Sequence, residues 1–192
     1  QARFDLRGAR RPFALANRLG QGDTMVLTLY AGYRTQMGRP AEAIIAIERA
    51  ALLDPLNAGV HRGVGWVQYF ARNFPAAIAA CQQSIAITAD VDDANGIIGD
   101  SLYQQGKFAE ARAAYQKEPG ALMGLTGLAI VSHQMGDVAA AQAAQAKLQA
   151  MLGAAATYQQ AQIAAQWGDA EAAMTLLQQA RAIGDSGMTL LA

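Results

Sequence analysis

The chain is 192 residues long, 44 of them alanine, with lysine plus arginine balancing aspartate plus glutamate at 15 each. A neutral chain without a basic run argues against nucleic acid as the direct partner of this segment. No apolar run reaches the roughly 18 residues that a membrane span needs, so no membrane contact is expected.

Residues 1–22 come first. Ala9, Phe13 and Ala16 are spaced small-large-small at helical intervals, and Gly20-Gln21-Gly22-Asp23 then breaks the chain. The segment reads either as the back half of a repeat or as an amphipathic capping helix. A half repeat would leave one apolar flank open, so the chain is expected to be a monomer or a weak homodimer through that flank. The chain begins at Gln1 and not at a methionine, which suggests a piece of a longer protein with any targeting segment upstream.

The next helix is expected over about 23–37, with Asp23 as its N-cap. The stretch from Gly38 to Pro55 carries its own stop and start. Gly38 suits the left-handed end of a helix, and Pro40 suits the first turn of the next. Asp54-Pro55 stops that helix, because a residue before proline is pushed out of the α region. Ala43, Ile47 and Ala50 share one face. A helix from Asn57 carries Gly59, Gly63 and Gly65, where close packing is the expected reason for glycine in a helix interior. Asn73 is expected to cap the helix after it. Two more helices run from about Asp92 to Gln105 and from Phe108 to Lys117, the second cut short by Glu118-Pro119-Gly120. Helices over 121–135, 138–152, 154–166 and 170–183 complete five pairs within 23–187. The apolar tail, 188–192, is expected to fold back on the last helix. Alternation at period two is absent, so no strand is expected.

The chain repeats itself at a period of 34. Gly38 aligns with Arg72 and Gly106, Ala43 with Ala77 and Ala111, and Ile47 with Cys81 and Tyr115. The same turn returns at Gly136-Asp137 and Gly168-Asp169, after steps of 30 and 32 residues. A period near 34 with small-large-small spacing is the signature of a helix-turn-helix repeat. Each hairpin lacks enough apolar surface to fold alone and needs its neighbours. Alanine or glycine stands where two helices cross closely, and a large side chain one turn on fills the gap towards the next unit. The expected fold is all-α: a right-handed solenoid of antiparallel helix pairs.

Chemistry-bearing residues are sparse. His61 and His133 are the two histidines, and no Cys, Asp or Glu stands at metal-ligand spacing from either. His61 falls on a buried helix face, as a hydrogen-bonded core histidine would. Asp90, Asp92 and Asp93 sit at a loop-to-helix junction, where helix capping explains them better than acid–base pairing. Gly124-Leu125-Thr126-Gly127 lacks the lysine and the preceding strand of a phosphate loop. Cys81 lies on a packing face as an inert thiol. It is the single cysteine, so an internal disulfide is excluded and a reducing compartment is permitted. No enzyme activity, cofactor or metal is expected.

In a solenoid of this kind the first helices of the pairs line the concave side. Read at three- and four-residue steps, their outward face gives Met25, Thr28 and Thr35, then Arg62, Trp66, Tyr69 and Phe70. Asp100, Tyr103 and Gln104 follow, then Thr126, Ile130, His133 and Gln134, and last Tyr158, Gln162 and Gln166. The centre is aromatic with one cation, which suits an extended or helical peptide with apolar anchors. Trp66 and Phe70 belong either to this groove or to the packing between repeats.

The repeats cover nearly the whole chain and resemble the tetratricopeptide repeat family. Asp54-Pro55-Leu56-Asn57, the shortened pair ending at Glu118-Pro119 with Leu122-Met123-Gly124-Leu125 after it, and the close at Gly184-Asp185-Ser186-Gly187 are similar to the C-terminal arrays of bacterial regulators bearing a winged-helix or nucleotide-cyclase domain. That resemblance implies a cytoplasmic interaction or sensor module attached to an effector, with a periplasmic location as the alternative. The relatives that clamp a chaperone's terminal carboxylate use Lys and Asn on their first helices. Thr28, Gly32, Gly63 and Trp66 stand in that region here, which speaks against such docking. The expected function is a non-catalytic scaffold that binds a protein or peptide in its groove. The alternatives are a small-molecule-sensing regulatory domain and an envelope-associated assembly scaffold.

Overall fold

The computed structural model describes residues 8–191. Eleven α-helices follow one another among them: α1 (Arg10–Leu19), α2 (Thr24–Gln36), α3 (Pro40–Leu53), α4 (Ala58–Phe70), α5 (Phe74–Ile87), α6 (Ala94–Gln104), α7 (Phe108–Tyr115), α8 (Leu122–Gln134), α9 (Val138–Leu152), α10 (Thr157–Gln166) and α11 (Ala170–Ile183). Short 3-10 stretches occupy Gly153–Ala156 and Ser186–Leu191. From α2 onward the helices pair as antiparallel hairpins, and each hairpin packs on the next. The first helices of successive pairs, α2, α4, α6, α8 and α10, also touch one another. They form an inner wall, and the second helices stand outside it. The fold is a helical-repeat solenoid, as the 34-residue period predicts.

The core is built from the alternation of small and large residues. Ala43, Ile47 and Ala50 are fully buried on α3, as are Ala77 and Cys81 on α5 and Ala111 on α7. Glycine allows close approach where the helices cross. A methyl group on Gly65 would collide with Cys81 Sγ, and one on Gly99 with the Tyr115 ring. The turns between paired helices share a left-handed residue: Gly38, Gly106, Gly136 and Gly168 all have positive φ. Arg72 holds the same place at φ 61° without being a glycine. Its guanidinium lies over the Phe74 ring, 5.4 Å from the centroid.

Some expected caps are present and others are replaced. Asp23 accepts from the backbone N–H groups of Met25 and Val26, and Asn57 from Val60. Asn73 makes no cap bond; its amide donates to Gln68 Oε1 at 3.3 Å instead. Asp93 occupies the N-cap position of α6 in the left-handed conformation, also without a cap bond. The N-terminus of α6 is held from the far end of its own pair, just after α7. Glu118 Oε1 accepts from Asn95 N at 2.9 Å and Oε2 from Gly96 N at 3.2 Å. The kink after α7 therefore does more than shorten a repeat: it turns a carboxylate back onto the positive end of α6.

At the N-terminal end, Phe13 of α1 stacks on Tyr33 of α2 with ring centroids 4.4 Å apart and 1° between planes. None of the α1 side chains is buried. Residues 1–7 of the expected 1–22 unit lie outside the described residues, as does residue 192 of the tail. The tail corrects a detail of the expectation. It packs on α10 and α11, but it also crosses to the other end of the solenoid, where Gln36 Nε2 of α2 donates to Thr189 Oγ1 at 3.3 Å.

Candidate functional site

The concave wall encloses a cavity of about 730 Å³. Every first helix contributes to it. Thr28 and Gly32 come from α2, and Arg62, Trp66, Tyr69 and Phe70 from α4. Asp93, Asp100, Tyr103 and Gln104 belong to α6 and its cap, and Leu122, Met123, Thr126 and Ile130 to α8. Tyr158, Gln159, Gln162 and Gln166 come from α10, and Leu190 of the tail closes the α2 side.

The structure thus brings together Arg62, Trp66, Tyr69, Phe70, Asp100, Tyr103 and Tyr158, all placed in the groove by helical spacing. Trp66 serves both groove and packing, and Phe70 belongs to the groove, exposed beside it. Their rings are 4.7 Å apart, Trp66 rests on the central core cluster, and both line the cavity. His133 departs from the expectation. It stands outside the cavity and stacks on Trp167, with centroids 5.1 Å apart. Trp167 in turn donates its indole N–H to the Ala129 carbonyl at 3.2 Å. His133 lies in the last turn of α8, on the face of Thr126 but beyond Ile130, the last α8 residue that lines the cavity. Met25 is exposed beyond the cavity, and Thr35 is buried, donating to the Ala31 carbonyl.

Asp100 is the electrostatic centre of the site. Tyr115 Oη donates to its Oδ1 at 2.7 Å. Burial pushes the carboxyl up to about 7, against the lowering effect of that hydrogen bond, with Asp93 adding a further rise. Asp93, just before α6, and Asp100, two turns into it, both line the cavity. Tyr69, Tyr103, Tyr115 and Tyr158 are all raised by burial, and the Asp100 charge adds to the rise at Tyr69 and Tyr115. Tyr103 also bridges the groove, its hydroxyl 3.4 Å from Gln166 Oε1.

Two of these residues escaped the sequence. Asp93 was assigned to capping and Tyr115 to repeat packing, yet both line the cavity. The seven-residue step between Asp93 and Asp100 was a readable signal. No local pattern announces Leu190, whose place depends on how far the solenoid curves.

The other chemical candidates lie elsewhere. Cys81 is fully buried, and burial pushes its thiol up to about 12, so it is a poor nucleophile. His61 is a core residue whose Nε2 lies 2.8 Å from the Pro55 carbonyl oxygen. Among the described residues, no three His, Cys, Asp or Glu side chains gather as a metal site, and no helix is long and apolar enough to cross a membrane.

Paired helices around a lined concave face define a helical-repeat protein of the kind that presents an interior surface to a partner. The sequence model of the tetratricopeptide repeat matches residues 34–92 and 89–124, so the chain carries tetratricopeptide repeats over that stretch. No curated protein matches the sequence. Among solved structures, PilW, a widely conserved type IV pilus biogenesis factor, is 20% identical, with a TM-score of 0.66 over 97% of this chain and 90% of its own. MamA is 22% identical, with a TM-score of 0.60 over 77% of this chain and 88% of its own. YrrB, a repeat protein with an unusual peptide-binding site, is 17% identical, with a TM-score of 0.54 over 93% of this chain and 95% of its own. At these identities the likeness is one of fold. The narrower resemblance to the arrays of bacterial regulators is not borne out by them.

Proposed function

We propose that this chain is a non-catalytic interaction scaffold that takes a peptide segment of a partner protein into its concave groove. The observation that carries this reading is one cavity to which all five first helices contribute, lined by aromatic rings on α4 and amide side chains on α10. Trp66, Tyr69 and Phe70 supply broad apolar contact of low conformational entropy, and such residues dominate binding energy at interfaces. Gln104, Gln162 and Gln166 supply donors and acceptors for the backbone of an extended segment. YrrB carries the same fold and a peptide-binding site.

A second reading is a small-molecule sensor. It is favoured by one feature: the Tyr103–Gln166 bridge and the Thr189–Gln36 contact narrow the openings of the groove. An envelope-assembly scaffold is a narrower version of the first reading, suggested by the shared fold of the pilus factor PilW.

The test selects peptides from a random display library on the full chain, alongside a thermal-shift screen against a metabolite panel. Peptides that bind and lose about tenfold or more in affinity with Trp66→Ala or Tyr69→Ala, in variants that remain folded, support the scaffold. A metabolite that raises the melting temperature while no peptide is enriched overturns it in favour of the sensor. A Trp66→Ala chain that melts earlier but binds selected peptides unchanged removes Trp66 from the groove.

A further inference from the structure

Asp100 shares its cavity with four tyrosines from four helices: Tyr69 of α4, Tyr103 of α6, Tyr115 of α7 and Tyr158 of α10. Tyr115 holds the carboxyl group through the 2.7 Å hydrogen bond, and the Asp100 charge is felt at Tyr69 as well as Tyr115.

The charges of the lining do not balance. Asp93 and Asp100 face the cavity, and Arg62 is the one lysine or arginine side chain among the lining residues. Arg62 acts on Asp93, the nearer aspartate. Among the described residues no lysine or arginine pairs with Asp100, whose charged neighbour is Asp93. A partly desolvated carboxyl group without a counter-ion, in a cavity lined by aromatic side chains, is complementary to a positive charge in two ways. The carboxylate attracts it directly, and tyrosine faces attract it through their quadrupoles. An acidic or neutral occupant would leave the Asp100 charge without a counter-ion.

We infer that the peptide taken up by this groove presents a lysine or arginine side chain to Asp100, within the ring of Tyr69, Tyr103 and Tyr158. This rests on the scaffold reading above and deepens it by naming the side chain recognised. The basic group enters from the groove, its stem lying against Trp66 and Phe70 and its charge against Asp100. Occupation by a cation also draws the Asp100 proton away, so binding strengthens as pH rises through about 7. The charged and titratable groups that line the cavity with Asp100 are Arg62 and Tyr69 of α4, Asp93 before α6, Tyr103 of α6, Tyr115 of α7 and Tyr158 of α10; of these, Tyr115 and Asp93 act on its carboxyl. The four tyrosines are all held above their ordinary range, so they stay neutral between pH 6 and 8 and leave Asp100 as the switching group.

The experiment uses the same random-peptide display library, selected in parallel on the native chain and on Asp100→Asn. The asparagine keeps an acceptor for the Tyr115 hydroxyl and so retains the local fold. Lysine or arginine enriched at one position on the native chain, and lost on Asp100→Asn, is the expected result. Replacing that basic residue by glutamine in a selected peptide weakens native binding by about tenfold or more. The affinity of the basic peptide rises close to tenfold from pH 6 to pH 8, and that of the glutamine peptide does not change. If Asp100→Asn fails to fold, Tyr103→Leu replaces it, with the same loss of basic preference expected. Peptides selected without a basic position, or basic peptides that bind both chains equally, overturn this inference and leave the scaffold standing. Tight binding of spermidine with no peptide enriched overturns both.

Discussion

Tyr115 on α7 reaches between two neighbouring first helices to hydrogen-bond Asp100, Oη to Oδ1 at 2.7 Å. Its ring fills space left by two glycines, Gly99 on α6 and Gly127 on α8, and a methyl group on either would collide with it. A second helix thus places its one buried hydroxyl on the wall of the groove, and repeat packing and site geometry become the same contact. Tyr115→Phe keeps the ring and removes the donor. It is expected to lower stability by about 1–2 kcal/mol, read by urea denaturation. Gly127→Ala, which keeps the donor and crowds the ring, should lower it by about 1–3 kcal/mol. A Tyr115→Phe chain as stable as the native one would show that the bond contributes nothing.

Asp100 makes the stability depend on pH. Its carboxyl is raised from 3.8 to about 7 by burial. A raised acid favours the folded state while protonated, so this contribution is complete below pH 4 and is lost as pH climbs through 7. With the remaining solvent in the groove taken into account, the loss is on the order of 2 kcal/mol. Asp100→Asn removes the titration. The expected outcome is that the native chain weakens relative to the variant between pH 4 and 8 in denaturant melts. Parallel curves across that range would contradict the burial of this carboxyl.

The cap of α6 comes from Glu118 and not from the adjacent aspartates. Glu118→Gln loses the charge and replaces one of the two accepting oxygens by an amide NH2 that cannot accept, and Glu118→Ala loses both bonds. Expected losses are about 0.5 and 1.5 kcal/mol respectively. Asp92→Ala, by contrast, should change stability by less than about 0.5 kcal/mol, since that side chain is exposed. Thermal melts of the three variants side by side would reveal the order.

The turn residues differ in what they tolerate. At Gly106, φ is 75° and a methyl group would meet nothing within 4 Å. Gly106→Ala is therefore a test of backbone strain alone, with an expected cost of about 1 kcal/mol. Arg72 bears the same strain at φ 61°. Arg72→Gly relieves it but gives up the contact with Phe74 and gains chain entropy when unfolded, so the net change is expected within about 0.5 kcal/mol of zero. Differential scanning calorimetry on the pair would separate the two cases.

Much of this could be read from spacing alone. The 34-residue alignment located the paired helices, the fully buried Ala43, Ala77 and Ala111, and the glycines at the crossings. It did so because helical packing between adjacent hairpins is local in sequence: a small residue and a large one, four apart, meet partners one repeat away. The groove follows from the same periodicity, and thirteen of its seventeen expected residues line one cavity. His133 is on the right face of α8 but stands past the end of the cavity, where it stacks on Trp167.

What spacing does not carry is curvature. The entry of Leu190 into the cavity, the hydrogen bond from Gln36 to Thr189, and the gathering of Tyr69, Tyr103 and Tyr158 around one cavity with Asp100 all depend on small rotations accumulated from pair to pair. The cap that Glu118 provides depends instead on the early end of α7 within one pair. Local periodicity specifies which face of each helix is apolar, because burial follows the helical turn. Which faces finally meet across the open centre, and hence the charge felt by Asp100, is set by the summed geometry of the whole stack.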